Sequence, residues 1–319
     1  MDKFSVYFAP IQGITDYIFR NSFSKYFLGI DKFFTPFIRF QKQLEIKKSQ
    51  LNDLLPENNA SIKLVPQVLS NKHEEIIHLA RIIEQFGFKE INWNLGCPYP
   101  MVTNRQMGSG LLPFPEKIDN ILEKVLSHIT INLSVKMRLG YSEPTECFEV
   151  LKTLGKYNLT EIILHPRIGL QMYKGEADIG MFNKCRTFTN HKLCYNGDIT
   201  SSLKFNELHS SFPGVKSWML GRALVSDPML AEVILSDKTI DPEQKLERFG
   251  EFHLDLFESY SSILSGPGHL LLKMQHFWEY FSQSFDNPHK VNKLIKKSNS
   301  VNKYRASVQE IFNSFQYTA

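Results

Sequence analysis

The run INWNLGCPYPMVTNRQMGSGLL, residues 91–112, begins as an apolar strand and ends on groups that a strand does not need. Asn94 carries an amide with donors and an acceptor. Cys97 follows between Gly96 and Pro98. A thiol of ordinary pKa, about 8.5, is mostly protonated near neutrality and can give a proton to a centre that is gaining negative charge. Gly108 and Gly110 leave the following loop free to move over a substrate or to lie close against one. A small buried apolar residue is the alternative role for Cys97.

Six further strand-like runs end on comparable residues: Ala9 with Pro10, Gln67, Lys136 with Arg138, His165 with Arg167, Asn196-Gly197-Asp198, and Gly221 with Arg222. Taken singly, each has a structural use, His165 as a satisfied core histidine and Lys136 as an ion-pair partner. Taken together, Gln67, Asn94, Lys136 and His165 suit a ring with mixed imide and carbonyl edges. The lysine would stabilise that ring when it is reduced and anionic. These are the residue types of a flavin site. NGD at 196–198 and LGRA at 220–223 put a glycine where backbone must approach a ligand, in the two connections that often bind phosphate in a barrel, and Arg222 adds charge. Two ordinary turns are the other reading.

The elements that must position these groups alternate along the chain. Strands are expected at 5–11, 32–38, 63–69, 90–97, 132–140, 161–167, 192–199 and 217–224. Between them lie amphipathic stretches; in HEEIIHLARIIEQFGF, for example, Ile76, Ile77, Leu79, Ala80, Ile83 and Phe86 share one helical face. Eight strand–helix units predict a (β/α)8 TIM barrel, with the chemistry at the C-terminal strand ends. An open doubly wound sheet is the structural alternative. A short helix and a loop are expected in the less regular segment at 39–62. From about residue 240 there is no strand signal, and 244–264, 269–285 and 290–315 read as three helices. The expected domains are therefore 1–235, the barrel, and 236–319, a small all-helical domain.

Composition fits such an enzyme: 319 residues, 42% hydrophobic and 22% charged, with a net charge of +4. No apolar run reaches membrane-spanning length, and the N-terminus lacks a signal-peptide layout. The four cysteines, Cys97, Cys147, Cys185 and Cys194, form no CxxC pair. A cytoplasmic protein without a metal site or disulfides is expected.

The chain resembles the tRNA-dihydrouridine synthases. The resemblance is carried, in order over roughly the first 230 residues, by APIQGITDYIFR, PQVL, NWNLGCP with GSGLL, VKMRLG, LHPRIGLQMYKGEAD, YNGDIT and MLGRALVSDP. APIQG and HPRI depart from the pattern more usual in that family. The resemblance implies FMN at the barrel mouth, with its phosphate at Asn196, Gly197, Asp198, Gly221 and Arg222, and with Ala9, Pro10, Gln67, Lys136 and His165 also on the cofactor. It implies NADPH as reductant, tRNA as substrate, hydride transfer to carbon 6 of a uracil, and Cys97 as the acid that protonates carbon 5. FMN rather than FAD is expected, because no adenine-binding fold accompanies the phosphate site. Asn94 is expected to orient the pyrimidine or flavin edge, and Arg138 and Arg167 to bind the nucleotide's phosphates.

The helical domain is expected to grip tRNA. Residues 286–305 contain six Lys or Arg and one acid, Asp286. Lys293, Lys296 and Lys297 are its expected phosphate contacts, against the alternative of a solvated face. Nothing calls for DNA, a membrane or an obligate protein partner. Two competing functions remain. One is an FMN barrel oxidoreductase acting on a free small molecule such as a pyrimidine. The other is a tRNA-binding module without chemistry.

Overall fold

A computed structural model describes residues 3–41 and 44–319. In chain order the elements are β1 (Ser5–Phe8), α1 (Tyr17–Tyr26), β2 (Lys32–Phe34), α2 (Lys48–Asn52), β3 (Leu64–Val65), β4 (Gln67–Val68), α3 (His73–Gln85), β5 (Glu90–Leu95), α4 (Pro100–Thr103), α5 (Pro115–Leu126), β6 (Asn132–Gly140), α6 (Glu146–Leu154), β7 (Ile162–Ile168), α7 (Ile179–Phe188), β8 (Leu193–Asn196), α8 (Ser202–Ser211) and β9 (Ser217–Leu220). Then come α9 (Arg222–Ser226), α10 (Leu230–Ser236), α11 (Pro242–Ile263), α12 (Pro267–Phe281), α13 (Pro288–Lys296) and α14 (Val301–Ser314). The short helix expected in 39–62 is α2; Lys42 and Gln43 of that segment lie outside the described residues.

All strand pairings are parallel, in the order β3-β2-β1-β9-β8-β7-β6-β5-β4. The two ends of that order, β3 and β4, are halves of one run divided by Pro66. Proline has no N–H to continue a ladder. Its carbonyl still accepts from Asn92 N at 2.8 Å, so the second half pairs with β5 while the first pairs with β2. Counted as one strand, the pair closes the sheet into the eight-stranded TIM barrel that the alternating pattern predicts. The single strand expected at 63–69 is thus two short ones.

The chain groups into two compact units: residues 1–10, 31–199 and 206–220 form one, and 11–30, 200–205 and 221–319 the other. In the barrel unit, Tyr7, Ala9, Phe34, Val65, Ile163, Cys194 and Met219 fill an interior layer. Near-continuous apolar runs such as IIL at 162–164 are what strands buried on both faces require. The Cys147 and Cys185 sulfurs lie 3.4 Å apart between α6 and α7, buried.

The second unit is helical. Asp241, Asn287 and Ser300 cap α11, α13 and α14 by accepting from backbone N–H groups in the first turn of each. The segment 290–315, expected as one helix, is two. Ser298, Asn299 and Ser300 interrupt it, and the Ser300 side chain restarts the chain by taking Lys303 N. No described helix is long and apolar enough to cross a membrane.

Candidate active site

Strand β5 delivers Cys97 to the rim through a turn that Asn94 organises. The Asn94 side-chain oxygen accepts from Gly96 N and Cys97 N, both at 2.9 Å, so the chain folds back on its own strand. From the other side, Ser109 N donates to Cys97 O at 3.0 Å and Ser109 Oγ at 3.1 Å. The glycine pair serves this contact. A Cβ on Gly108, whose φ is +57°, would lie 2.5 Å from Cys97 O, and one on Gly110 would lie 2.5 Å from Thr103 O. The GSG segment, expected either to move over a substrate or to lie close against one, is instead a buried turn packed against the backbone of the cysteine.

The thiol packs in an apolar cluster with Leu69, Val102 and Met107, bordered by Phe37. Burial pushes its pKa up, against the N–H of Tyr99 and the charges of Arg138 and Arg39. Cys97 is therefore held as a thiol at neutral pH. The bland reading, a small buried apolar residue, describes its packing but not the hydrogen-bonded turn that presents it.

Around the rim, Lys136 on β6 donates to Asn196 Oδ1 at 2.7 Å, and Asn196 Nδ2 donates to Met219 O at 2.8 Å. Burial, helped by Arg138, brings the Lys136 pKa down to about 8, leaving the ammonium poised for an anionic partner. On β7, Arg167 Nη1 lies 3.0 Å from His165 Nε2. The guanidinium can only donate, so His165 Nε2 accepts, and a neutral imidazole carries its proton on Nδ1. Arg167 also donates to Gly175 O and to Asp198 Oδ2, and Asp198 takes Ala177 N as well. Gly197 packs close here: a Cβ on it would come 3.1 Å from Ala177 Cβ and 3.5 Å from His165 Cδ2.

Other expected residues take less exposed places. Gln67 is fully buried; its Oε1 accepts from Asn94 Nδ2 at 2.7 Å and its Nε2 donates to Asn92 Oδ1 at 2.8 Å. Ala9 belongs to the interior layer, with Pro10 half-buried after it. Arg138 is almost wholly buried and donates to Gly96 O, Ile168 O and Met172 O, with its guanidinium 5.2 Å from the Tyr173 ring centre. Arg167 is equally buried, and its Nε has no hydrogen-bond partner. Both guanidinium groups therefore brace the rim, Arg138 by gripping Gly96 beside Cys97 and Arg167 by fixing His165.

The model of the family described as dihydrouridine synthase (Dus) matches residues 7–316. The chain belongs to the dihydrouridine synthase family. It is similar to tRNA-dihydrouridine synthase B of Pasteurella multocida, 28% identical over 73% of this chain and 70% of the relative. The enzyme of the same name from Vibrio vulnificus is 24% identical over 95% and 90%, and that of Escherichia coli K12 is 27% identical over 70% and 68%. Among solved structures, a 2-naphthoyl-CoA reductase complex superposes with a TM-score of 0.56 at 10% identity, over 73% of this chain and 50% of that one. A variant of NCR from Zymomonas mobilis gives 0.52 at 12% identity, over 74% and 87%. At such identities these two share the fold alone.

The helical unit carries the three lysines named above at its surface. Lys293, Lys296 and Lys297 are exposed on and just beyond the last turns of α13. Lys296 lies 3.7 Å from Glu279. Sequence reasoning missed Arg39, whose charge reaches Cys97, and Tyr173 over Arg138. It also missed Asn92 as the partner of Gln67. The signal was in the sequence: Glu90, Asn92 and Asn94 alternate with apolar residues at the period of a strand, which points all three to one side.

Proposed function

We propose that this protein reduces specific uridines of tRNA to 5,6-dihydrouridine, with FMN as the bound cofactor and NADPH as reductant. Membership of the dihydrouridine synthase family supports the reaction class, since the relatives are named for it. The observation that carries the chemistry is the Cys97 turn: a thiol kept protonated by burial, presented at a strand's C-terminal end by Asn94 and Arg138.

The rim residues fit a flavin mononucleotide. Lys136 offers a positive charge, and Arg167 a buried nitrogen without a partner. Gly197 keeps the turn after β8 without a Cβ at a close contact. Gln67, Lys136 and His165, with Ala9 and Pro10, would hold the ring and its chain. Asn196, Gly197 and Asp198 after β8, with Gly221 and Arg222 after β9, would hold the phosphate. When bound, FMN supplies a hydride to carbon 6 of the uracil.

The protein's own part is to complete the addition. As carbon 6 gains hydrogen, the electron pair of the carbon–carbon double bond moves toward carbon 5 and its neighbouring carbonyl. The S–H bond of Cys97 breaks, its proton forms the C–H bond at carbon 5, and the electrons of the broken bond remain on sulfur. The nearby charges of Arg138 and Arg39 favour the resulting thiolate. The base must leave its stack to reach the rim, which costs a few kcal/mol in a duplex and less in a loop. Lys293, Lys296 and Lys297 would contact tRNA phosphates. Arg138 and Arg167, proposed as contacts of the nucleotide, act on it also by fixing Gly96 and His165.

The deciding experiment incubates the purified protein with NADPH and unmodified tRNA, then maps by mass spectrometry the uridines that gain two hydrogens. Release of the cofactor and its mass tests FMN. Reduction of free uracil with untouched tRNA would replace this reading by that of a small-molecule oxidoreductase.

A further inference from the structure

We propose that a buried one-way ladder of hydrogen bonds, running from the Cys97 turn to the carboxylate of Glu90, positions the thiol, and that Ser134 and Glu90 act on Cys97 through it. The inference rests on the reading of Cys97 as proton donor and names residues that serve it from a distance.

The rungs can be followed in order. Gly96 N and Cys97 N donate to Asn94 Oδ1. Asn94 Nδ2 donates to Gln67 Oε1 at 2.7 Å, and Gln67 Nε2 to Asn92 Oδ1 at 2.8 Å. Asn92 Nδ2 donates to Ser134 Oγ at 2.9 Å, and Ser134 Oγ to Glu90 Oε1 at 2.7 Å. The other Glu90 oxygen takes Lys32 Nζ at 3.0 Å, and Lys32 also binds Glu161 Oε1 at 2.9 Å. Burial works against the Lys32 charge, and Glu161 and Glu90 more than offset it, so the ladder ends on an ion cluster. Gln67, Asn92 and Ser134 are fully buried.

An amide can turn over without changing shape, so a chain of amides has no direction of its own. Here both ends give it one. Backbone N–H groups at the top only donate, and an ionised carboxylate at the bottom only accepts. Every side chain between must therefore donate downward. Reversal would set the Asn94 NH2 against two backbone donors and leave buried groups unmatched. The carboxylate thus helps to keep the Asn94 oxygen facing the Cys97 turn. Strand register makes this possible, because Gln67 lies beside Asn92 and Asn92 beside Ser134 on parallel neighbours.

The test reads the thiol itself. The full-length protein is treated with iodoacetamide, and the alkylation rate at Cys97 is followed by peptide mass spectrometry. Ser134→Ala removes one rung and leaves the Lys32–Glu90 pair intact. Glu90→Gln replaces the acceptor-only end with an amide that can also donate. Both are expected to free the turn and raise the Cys97 rate about tenfold, the equivalent of one buried hydrogen bond. Ser217→Ala is the control, because Ser217 lies off the ladder, meeting Glu161 at 3.4 Å and the Tyr7 and Cys194 side chains; it should leave the rate unchanged. A general loosening of the barrel would accelerate all three. Wild-type alkylation in either folded variant, or an equal rise in Ser217→Ala, overturns the proposal. One variant suffices if the other does not fold. Since the readout needs no tRNA, a protein that leaves tRNA uridines untouched would overturn the proposed function and leave this result standing.

Discussion

The interior of the barrel unit carries amides, a hydroxyl, carboxylates and an ammonium in a connected chain, whereas the interior of the helical unit is built from rings. Phe249 meets Trp278, Phe281 and Phe285 edge-on, and Phe252 meets Phe19, Phe23 and Phe27. The buried polar groups of that core include a small closed set: Trp278 Nε1 donates to Tyr304 OH at 2.8 Å, and that hydroxyl lies 2.6 Å from His253 Nε2. A satisfied polar interior orients side chains while adding little net stability. An aromatic interior stabilises through buried area and ring geometry. Activity and stability should therefore be separable by where the chain is cut back.

The largest separation is expected at Cys97. Cys97→Ala removes a small side chain and leaves the Asn94 turn, whose bonds are to backbone, intact. Turnover with tRNA should fall by roughly a hundred- to ten-thousand-fold, while the denaturation midpoint stays near that of the wild type and NADPH still reduces the flavin. Stopped-flow reoxidation of the reduced protein by unmodified tRNA measures the loss. Cys147→Ala and Cys185→Ala, between two outer helices, and Cys194→Ala, early in β8, should reoxidise normally. A slow Cys194→Ala with a normal Cys97→Ala would move the acid to another strand.

The converse case is Phe249→Ala. It empties the centre of the ring cluster and should cost about 3–5 kcal/mol of stability, read from urea denaturation. Folded Phe249→Ala should still reduce its flavin with NADPH at the wild-type rate. Loss of that half-reaction in folded protein would break the division between the two interiors.

The helical core also carries an acid-sensitive group. Burial lowers the His253 pKa to about 4, against about 6.5 in an unfolded chain. Between those values the unfolded chain binds a proton that the folded one refuses, so stability falls as pH drops through this window. From pH 7 to pH 5 the loss should be roughly 2 kcal/mol. His253→Gln removes that contribution. Urea midpoints of both proteins at pH 7 and pH 5 should show the wild type losing more by that margin, and equal losses would place the acid sensitivity elsewhere.

These differences track what a sequence can and cannot report. Burial leaves a period, so the strands and the helices α3, α5 and α6 were legible, as was the meeting of Lys136 with Asn196; the strand-end placement expected of Lys136 and His165 was not, because β6 and β7 run on past both. Partners leave no period. Lys32, Glu90, Ser134, Glu161 and Ser217 meet only because parallel strands far apart in sequence share a register. The GSG segment reads as flexible because glycine permits both motion and close approach, and only the distance to Cys97 O shows which applies. Pro66 reads as a strand residue in an apolar run, yet its missing N–H divides the strand. Ser298 to Ser300 are polar residues inside a helical pattern, and nothing in that pattern announces that Ser300 will cap a new helix.

The smallest expected effect belongs to the surface of the helical unit, where neither interior is involved. Lys293, Lys296 and Lys297 are exposed, so replacing all three with Gln should leave the denaturation midpoint within about 0.5 kcal/mol of the wild type. Binding should change instead. Each lysine that neutralises a tRNA phosphate displaces a condensed cation, so each lost contact should flatten the log–log dependence of affinity on salt by about 0.7–0.9. Lys296 already lies 3.7 Å from Glu279 and should contribute least; Lys293 and Lys297 should account for most of the change. Titrating the triple variant with tRNA at several salt concentrations gives the slope directly. At saturating tRNA its turnover should match the wild type, because the proposed hydride and proton transfers use no lysine of this face. A slope equal to that of the wild type would show that these charges only solvate their helix, and the tRNA contacts would then have to be sought elsewhere on the chain.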